Sequence, residues 1–143
     1  MSDEAIRRAT ASDLEALTRL EQEAFTDPWT VAQIRGELGE PHALILLAEQ
    51  LDGYAVFRHI AGEAELLRLA VAPRSRRRGL GRRLVEAGLE SLRATGCSAC
   101  YLEVRTTNHP AIALYEELDF RRAGQRRTYY ADGTDALIMH RSL

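Results

Sequence analysis

The densest chemistry in the sequence is a run of three arginines followed by two glycines two residues apart, Arg76-Arg77-Arg78-Gly79-Leu80-Gly81. Glycines at that spacing let a backbone approach an anion closely. A helix starting there points its first amides outward, at the positive end of its dipole. Arg74, Arg82 and Arg83 raise the count to six arginines within ten residues, a strong local positive field. Together these features predict a cradle for phosphate groups; the plain alternative is a tight turn with a solvated arginine face. No Gly-Lys-Ser/Thr follows, so this is not a Walker loop. The third glycine and the later ribose-binding acid of a dinucleotide fingerprint are missing as well.

Other candidate chemistry is thinner. Cys97 and Cys100 form a lone C-x-x-C that follows a helix and runs into a strand, where positions three apart point to opposite faces. A redox pair belongs at a helix N-terminus instead, so a structural role is expected. His42, His59, His109 and His140 show no ligand spacing, and no metal is expected.

The elements that must position the loop can be read from periodicity and caps. Ile6–Ala9 reads as a short strand. Ser12-Asp13-Leu14-Glu15 reads as a capping box with Ser12 as N-cap, opening a helix with Leu14, Leu17, Leu20 and Ala24 on one face. Asp27-Pro28 breaks that helix. Thr30-Val31-Ala32-Gln33 is a second box, with Trp29 and Ile34 at the hydrophobic-staple positions, and its helix ends around Gly36–Gly39. Three strands follow, Ala43–Glu49, Tyr54–Ile60 and Glu63–Val71, joined by short glycine turns as an antiparallel meander. After Pro73 the period becomes helical through Leu80, Leu84, Ala87, Gly88 and Leu92, stopping at Gly96. Tyr101–Arg105 reads as a strand, and Asn108 caps a short helix with Ile112, Tyr115 and Leu118. Phe120–Tyr130 and Ala136–Arg141 read as closing strands turned at Asp132-Gly133. The fold class is α/β (α+β), with a mixed, mostly antiparallel sheet and about four helices.

Composition limits the alternatives. A chain of 143 residues predicts one domain, 1–143, large enough to need no staple. The longest wholly apolar run, Ala43–Ala48, is far too short to span a membrane. Met1-Ser2-Asp3-Glu4 is acidic and lacks an apolar signal core, so a cytoplasmic location is expected. The net charge of −2 hides a split: residues 1–67 carry 13 acidic and 5 basic side chains, and residues 68–143 carry 14 basic and 8 acidic. All 19 cationic residues are arginine. A sequence pI near 6.1 and the lack of aromatics among the clustered arginines argue against a nucleic-acid binder.

The pattern [Gln/Arg]-x-x-Gly-x-Gly after a Val-x-Pro strand end resembles the acyl-coenzyme A loop of the GCN5-related N-acetyltransferase (GNAT) superfamily. Leu102-Glu103-Val104-Arg105, Asn108 and Ala113-Leu114-Tyr115-Glu116-x-Leu-x-Phe120 resemble its next motif at the matching spacing. The order of elements is similar too, so the resemblance covers nearly the whole chain. Phe25-x-x-Pro28-Trp29-Thr30, Arg127-x-Tyr129-Tyr130 and Asp135-Ala136-Leu137-Ile138-Met139 resemble the RimI-type branch, which acetylates the N-terminal alanine of a small-subunit ribosomal protein. One departure is Asp119, where the family usually has glycine and a helix stop often needs a positive φ.

The resemblance implies direct attack of an amine on the thioester of acetyl-coenzyme A, without an acyl-enzyme. Glu103 matches the family's base and Tyr115 its general acid. The resemblance further implies that main-chain groups of Leu69, Ala70 and Val71 pair with the pantetheine arm. An amide near Val71 would meet the oxyanion, and Arg76, Arg77, Arg78, Gly79, Leu80, Gly81 and Arg82 would hold the pyrophosphate. Asn108 matches another cofactor contact. Phe25, Pro28, Trp29 and Thr30 would flank the acceptor from one side, and Arg127, Tyr129 and Tyr130 from the other. Glu21, Glu23 and Asp27 would attract a basic peptide tail or, more plainly, form a solvated helix face. Other protein N-termini or small amines are alternative acceptors, and a non-catalytic acyl-coenzyme A sensor is a reading of another class.

Overall fold

A computed structural model describes residues 4–143; Met1, Ser2 and Asp3 of the acidic amino-terminal stretch lie outside the described residues. In chain order the elements are β1 (Ile6–Arg8), α1 (Leu14–Ala24), α2 (Val31–Leu38), β2 (Ala43–Ala48), β3 (Gly53–Ile60) and β4 (Glu63–Val71). Then come α3 (Leu80–Ala94), β5 (Ala99–Arg105), α4 (His109–Glu117), β6 (Arg121–Arg126) and β7 (Ala136–Ser142). Among the described residues the strands form one sheet of seven in the order β1-β2-β3-β4-β5-β7-β6. Every neighbouring pair is antiparallel except β4 and β5, which run parallel.

Both faces of the sheet are used, which is why β2 reads as an unbroken apolar run and is buried at all six positions. Leu44 and Leu46 belong to the core under α3 and α4. Ile45 and Leu47 belong to a second core, with Leu17, Leu20 and Ile34 from α1 and α2. Helix α3 lies so close to β3 that a Cβ added at Gly88 would sit 2.1 Å from the Phe57 ring. Here glycine serves close approach, not a turn.

Two boundaries differ from expectation. The first capping box lies two residues earlier: Thr10 precedes a single 3-10 turn at Ala11–Asp13, and the Asp13 carboxylate accepts the Thr10 amide at 2.8 Å. Arg7 decides the register, because both its terminal nitrogens donate to that carboxylate at 2.9 Å and hold it well below its ordinary range, at about 2. The second box stands as expected, with Thr30 Oγ1 accepting from the Gln33 amide at 3.1 Å and Gln33 Oε1 from the Thr30 amide at 2.7 Å. The penultimate strand is shorter than the apolar and aromatic pattern suggests. It ends at Arg126, and Arg127, Tyr129 and Tyr130 fall in the loop to β7, where Thr128 turns left-handed at φ 52°. That loop is tied down by the Asp135 carboxylate, which accepts the Thr128 amide at 2.8 Å and Gln125 at 2.7 Å.

Asp119 ends α4 at φ 69°, the left-handed turn for which glycine is usual. The feature that matters most for a site is the parallel pair. β4 and β5 pair from Glu63–Ala99 only as far as Leu66–Leu102. Beyond that point they part, and Arg68–Val71 keep β3 on one side with an open edge on the other.

Candidate active site

The gap between β4 and β5 is a cleft of about 460 Å³, lined by residues of both strands, the α1–α2 connection, α4 and the β6–β7 loop. Strand alternation assigns its sides. Leu102 and Val104 of β5 face the core under α3 and α4, so Glu103 and Arg105 face the opposite side, where α1 and α2 lie. The arginine loop begins α3 and therefore approaches from the other face. The Glu103 carboxylate therefore lines the cleft from one face of the sheet, while the start of α3 lies on the other face, beyond the cleft lining at Leu69.

Glu103 is held tightly. Its side chain is 18% exposed, and Arg126 Nε sits 3.1 Å from Oε1. Oε2 is buried and has no hydrogen-bond partner. Tyr129 stands against the same carboxylate, which pushes its phenol pKa up. Glu65 also lines the cleft; burial raises its carboxyl pKa and the Glu103 charge adds to the shift. Tyr115, on α4, is a buried ring packed edge-on against Phe120 at 5.9 Å. Burial pushes its pKa up, so the hydroxyl remains protonated where it lines the cleft.

Of the residues assigned to the acyl-coenzyme A side, Leu69 and Asn108 line the cleft. Asn108 Oδ1 is occupied in capping α4 through the Ala111 amide at 3.3 Å. The Ala70 side chain is core, 1% exposed, so only its main chain remains to contact a ligand. Val71 accepts from Arg76 Nε at 3.1 Å through its carbonyl, which pins the start of the loop to the strand end. Arg77 and Arg78 are exposed, Leu80 is core, and Arg82 pairs with Glu117. The loop is left-handed at both Arg77 (φ 65°) and Gly79 (φ 77°), turns that gather successive amides toward one point. A Cβ at Gly79 would meet nothing within 4 Å, so this glycine serves the backbone turn and not the available space.

On the acceptor side, Phe25, Tyr129 and Tyr130 line the cleft, whereas Pro28, Trp29, Thr30 and Arg127 do not. Thr30 is used as the α2 cap, and Trp29 stands behind Arg68 with its ring 5.0 Å from the guanidinium carbon. Tyr130 is fixed by Arg105, whose guanidinium lies 4.1 Å over its ring while bonding Asp132 at 2.8 Å. The expectation that Glu21 and Glu23 attract a basic tail is corrected. Glu21 is fully buried and bound to Arg68 at 2.7 Å, and Glu23 pairs with Arg74 at 2.7 Å. Asp27 remains exposed at the rim. Glu65 and Arg68 of the cleft escaped the sequence reading, as did Arg126, which lies outside the cleft lining and pairs with Glu103. A charged residue within the apolar stretch 66–71 was a signal for Arg68. Its direction depends on a bulge that no pattern of residue types announces.

A mixed sheet parted between two parallel strands, with a glycine-bent helix start on one face and a partly buried carboxylate on the other, defines a group-transfer enzyme of one fold. The chain belongs to the acetyltransferase (GNAT) family, whose model matches residues 12–120, and it is an N-acetyltransferase. It is 39% identical over 135 residues to the [ribosomal protein bS18]-alanine N-acetyltransferase of Salmonella typhimurium, covering 91% of each chain. It is 37% identical to the N-alpha-acetyltransferase RimI of Mycobacterium tuberculosis, covering 92% of this chain and 88% of that one. The crystal structure of the Escherichia coli ribosomal-protein-S18-alanine N-acetyltransferase superposes with a TM-score of 0.89 at 36% identity, covering 98% and 94% of the two chains. Ard1 from Thermoplasma volcanium gives 0.88 at 30% identity, covering 97% of each. Among the described residues no helix is long and apolar enough to cross a membrane, and no group of three or more His, Cys, Asp or Glu could hold a metal ion.

Proposed function

We propose that the protein transfers the acetyl group of acetyl-coenzyme A to the N-terminal α-amino group of an alanine-led, basic ribosomal-protein tail. The observation that carries the chemistry is Glu103, a largely buried carboxylate on the cleft wall with one oxygen held by Arg126 and Tyr129 beside it. An α-ammonium group has a pKa of about 8, so near neutrality it must lose a proton before it can attack. The Glu103 carboxylate takes that proton. The amine nitrogen then bonds to the carbonyl carbon, the carbon–sulfur bond breaks, and Tyr115 gives its hydroxyl proton to the leaving sulfur; the second proton that the nitrogen sheds on becoming an amide reprotonates the phenolate. The open edge of β4 at Leu69, Ala70 and Val71 supplies main-chain partners for the pantetheine arm, and an amide there stabilises the oxyanion. Amides of the Arg76–Arg82 segment take the pyrophosphate, with the α3 dipole behind them, and Asn108 adds a contact across the cleft.

Two findings support the alanine-tail reading: the names borne by relatives similar over nine-tenths of the chain, and an acceptor mouth built from Phe25, Tyr129 and Tyr130. The test is thiol release from acetyl-coenzyme A with a panel of peptides differing in the first residue, alongside small amines. Preference for alanine-led basic peptides is expected. Equal rates across the panel would overturn the acceptor assignment, and cofactor binding with no thiol release would make the protein a sensor and not an enzyme.

A further inference from the structure

One residue of the acceptor wall is placed by an irregularity in β4. Val56 of β3 pairs with Arg68, but the next residue, Phe57, pairs with Leu66, so Leu67 is an extra residue on β4. Such a bulge re-aims the side chains beyond it. Without it, Arg68 would alternate onto the α3 face; with it, Arg68 shares the face of Val56, toward α1 and the acceptor side of the cleft. There one edge of the guanidinium is fixed by hydrogen bonds and its carbon rests over an aromatic ring. Nε and a terminal nitrogen reach Glu21 at 3.0 and 2.7 Å, and the same nitrogen reaches the Asp27 carbonyl at 3.2 Å. Glu21 is in turn held by the Trp29 amide at 2.7 Å and the Tyr54 hydroxyl. The guanidinium carbon lies 3.8 Å over the centre of the Phe25 ring, and only 19% of the Arg68 side chain remains exposed.

Its charge is answered by Glu21, so what Arg68 offers the cleft is shape. We propose that Arg68, aimed by the β4 bulge and locked by Glu21, is the specificity-determining wall of the acceptor pocket, and that its seat over Phe25 restricts the acceptor's first residue to a small side chain. This rests on reading the Glu103 face as the acceptor side. Arginine suits the task because its planar fork can bond a carboxylate at one edge while its delocalised cation rests over an aromatic ring; lysine lacks the flat, rigid fork.

The test is the ratio of kcat/KM for an alanine-led peptide to that for the same peptide led by leucine. The wild type, Arg68→Leu/Glu21→Gln, and Arg68→Lys are compared. The double variant removes both charges together, keeps an oxygen to accept the Trp29 amide, and turns an NH2 donor toward the Tyr54 hydroxyl oxygen. Arg68→Lys keeps the ion pair and serves if the double variant does not fold. The ratio is expected to fall about tenfold or more in either variant, since the fit of a few methylenes in a pocket discriminates on that scale. A merely structural role would lower both rates and leave the ratio where it was. An unchanged ratio in a folded variant overturns the assignment of Arg68. A wild type inactive on the alanine-led peptide would instead overturn the proposed function.

Discussion

Two groups of arginines flank the cleft and act in opposite ways. At the start of α3, Arg77 and Arg78 are exposed, and the loop's shape comes from backbone turns at Arg77 and Gly79. On the other side Arg68 is nearly enclosed, and side-chain bonds to Glu21 and its seat over Phe25 set its position. The first region leaves Arg77 and Arg78 exposed, as the proposed pyrophosphate site requires. The second uses the same residue type as a fixed part of a wall. Context decides the role: a long-range cation in water is screened, while an enclosed one must be answered by a carboxylate.

The comparison can be broken at several points, beginning with the carboxylate between the two regions. Replacing Glu103 with glutamine is expected to lower turnover by about 10²–10⁴-fold, the range for a lost general base. Acetyl-coenzyme A affinity, measured by calorimetry, should be nearly unchanged; unaltered turnover would remove Glu103 from the mechanism. Arg68→Ala leaves Glu21 buried without its counter-charge and is expected to cost about 3–5 kcal/mol in urea unfolding. Replacing Arg78 with alanine should leave the urea midpoint almost untouched, and a loss as large as that for Arg68 would erase the contrast between the regions. Gly79→Ala is expected to cost about 1–2 kcal/mol, from the left-handed turn alone, and to weaken acetyl-coenzyme A binding.

The smallest effect concerns a third arginine, intermediate between the two groups. Arg7 is half-exposed, and it holds the Asp13 carboxyl at about 2, below the roughly 3.9 of an unfolded chain. The folded pKa is the lower one, so this contribution is fully present above about pH 4 and is lost as the pH falls toward 2. Unfolding midpoints measured between pH 6 and pH 2.5 should fall less steeply in Asp13→Asn than in the wild type.

Much of this was legible from residues alone, for identifiable reasons. The meander, α3 and the Thr30–Gln33 box depend on local periodicity and caps, and they lie where those signals place them. The left-handed turn at Asp119 was readable from the need to stop a helix. The Ser12 box failed because a contact from β1, Arg7 to Asp13, outweighed the local signal. The strand expected to reach Tyr130 stops at Arg126 because Asp135 and Arg105, distant in sequence, hold the loop in another shape. Glu21 read as a solvated helix acid because its partner, Arg68, is 47 residues away and reaches it only through a bulge. Local signals placed the turn at Arg76–Gly81 and the start of α3; the surroundings of Arg68 are made of long-range contacts and needed the structure.

Amide hydrogen exchange with one ligand at a time tests the two-sided cleft most directly. Acetyl-coenzyme A alone should slow exchange in the Arg76–Gly81 segment and along Leu67–Val71. An unreactive alanine-led peptide with coenzyme A should add protection at Phe25–Trp29 and in the Tyr129–Tyr130 loop. Protection of the same amides by both ligands, or by the peptide at the α3 loop, would contradict the assignment of opposite faces to donor and acceptor.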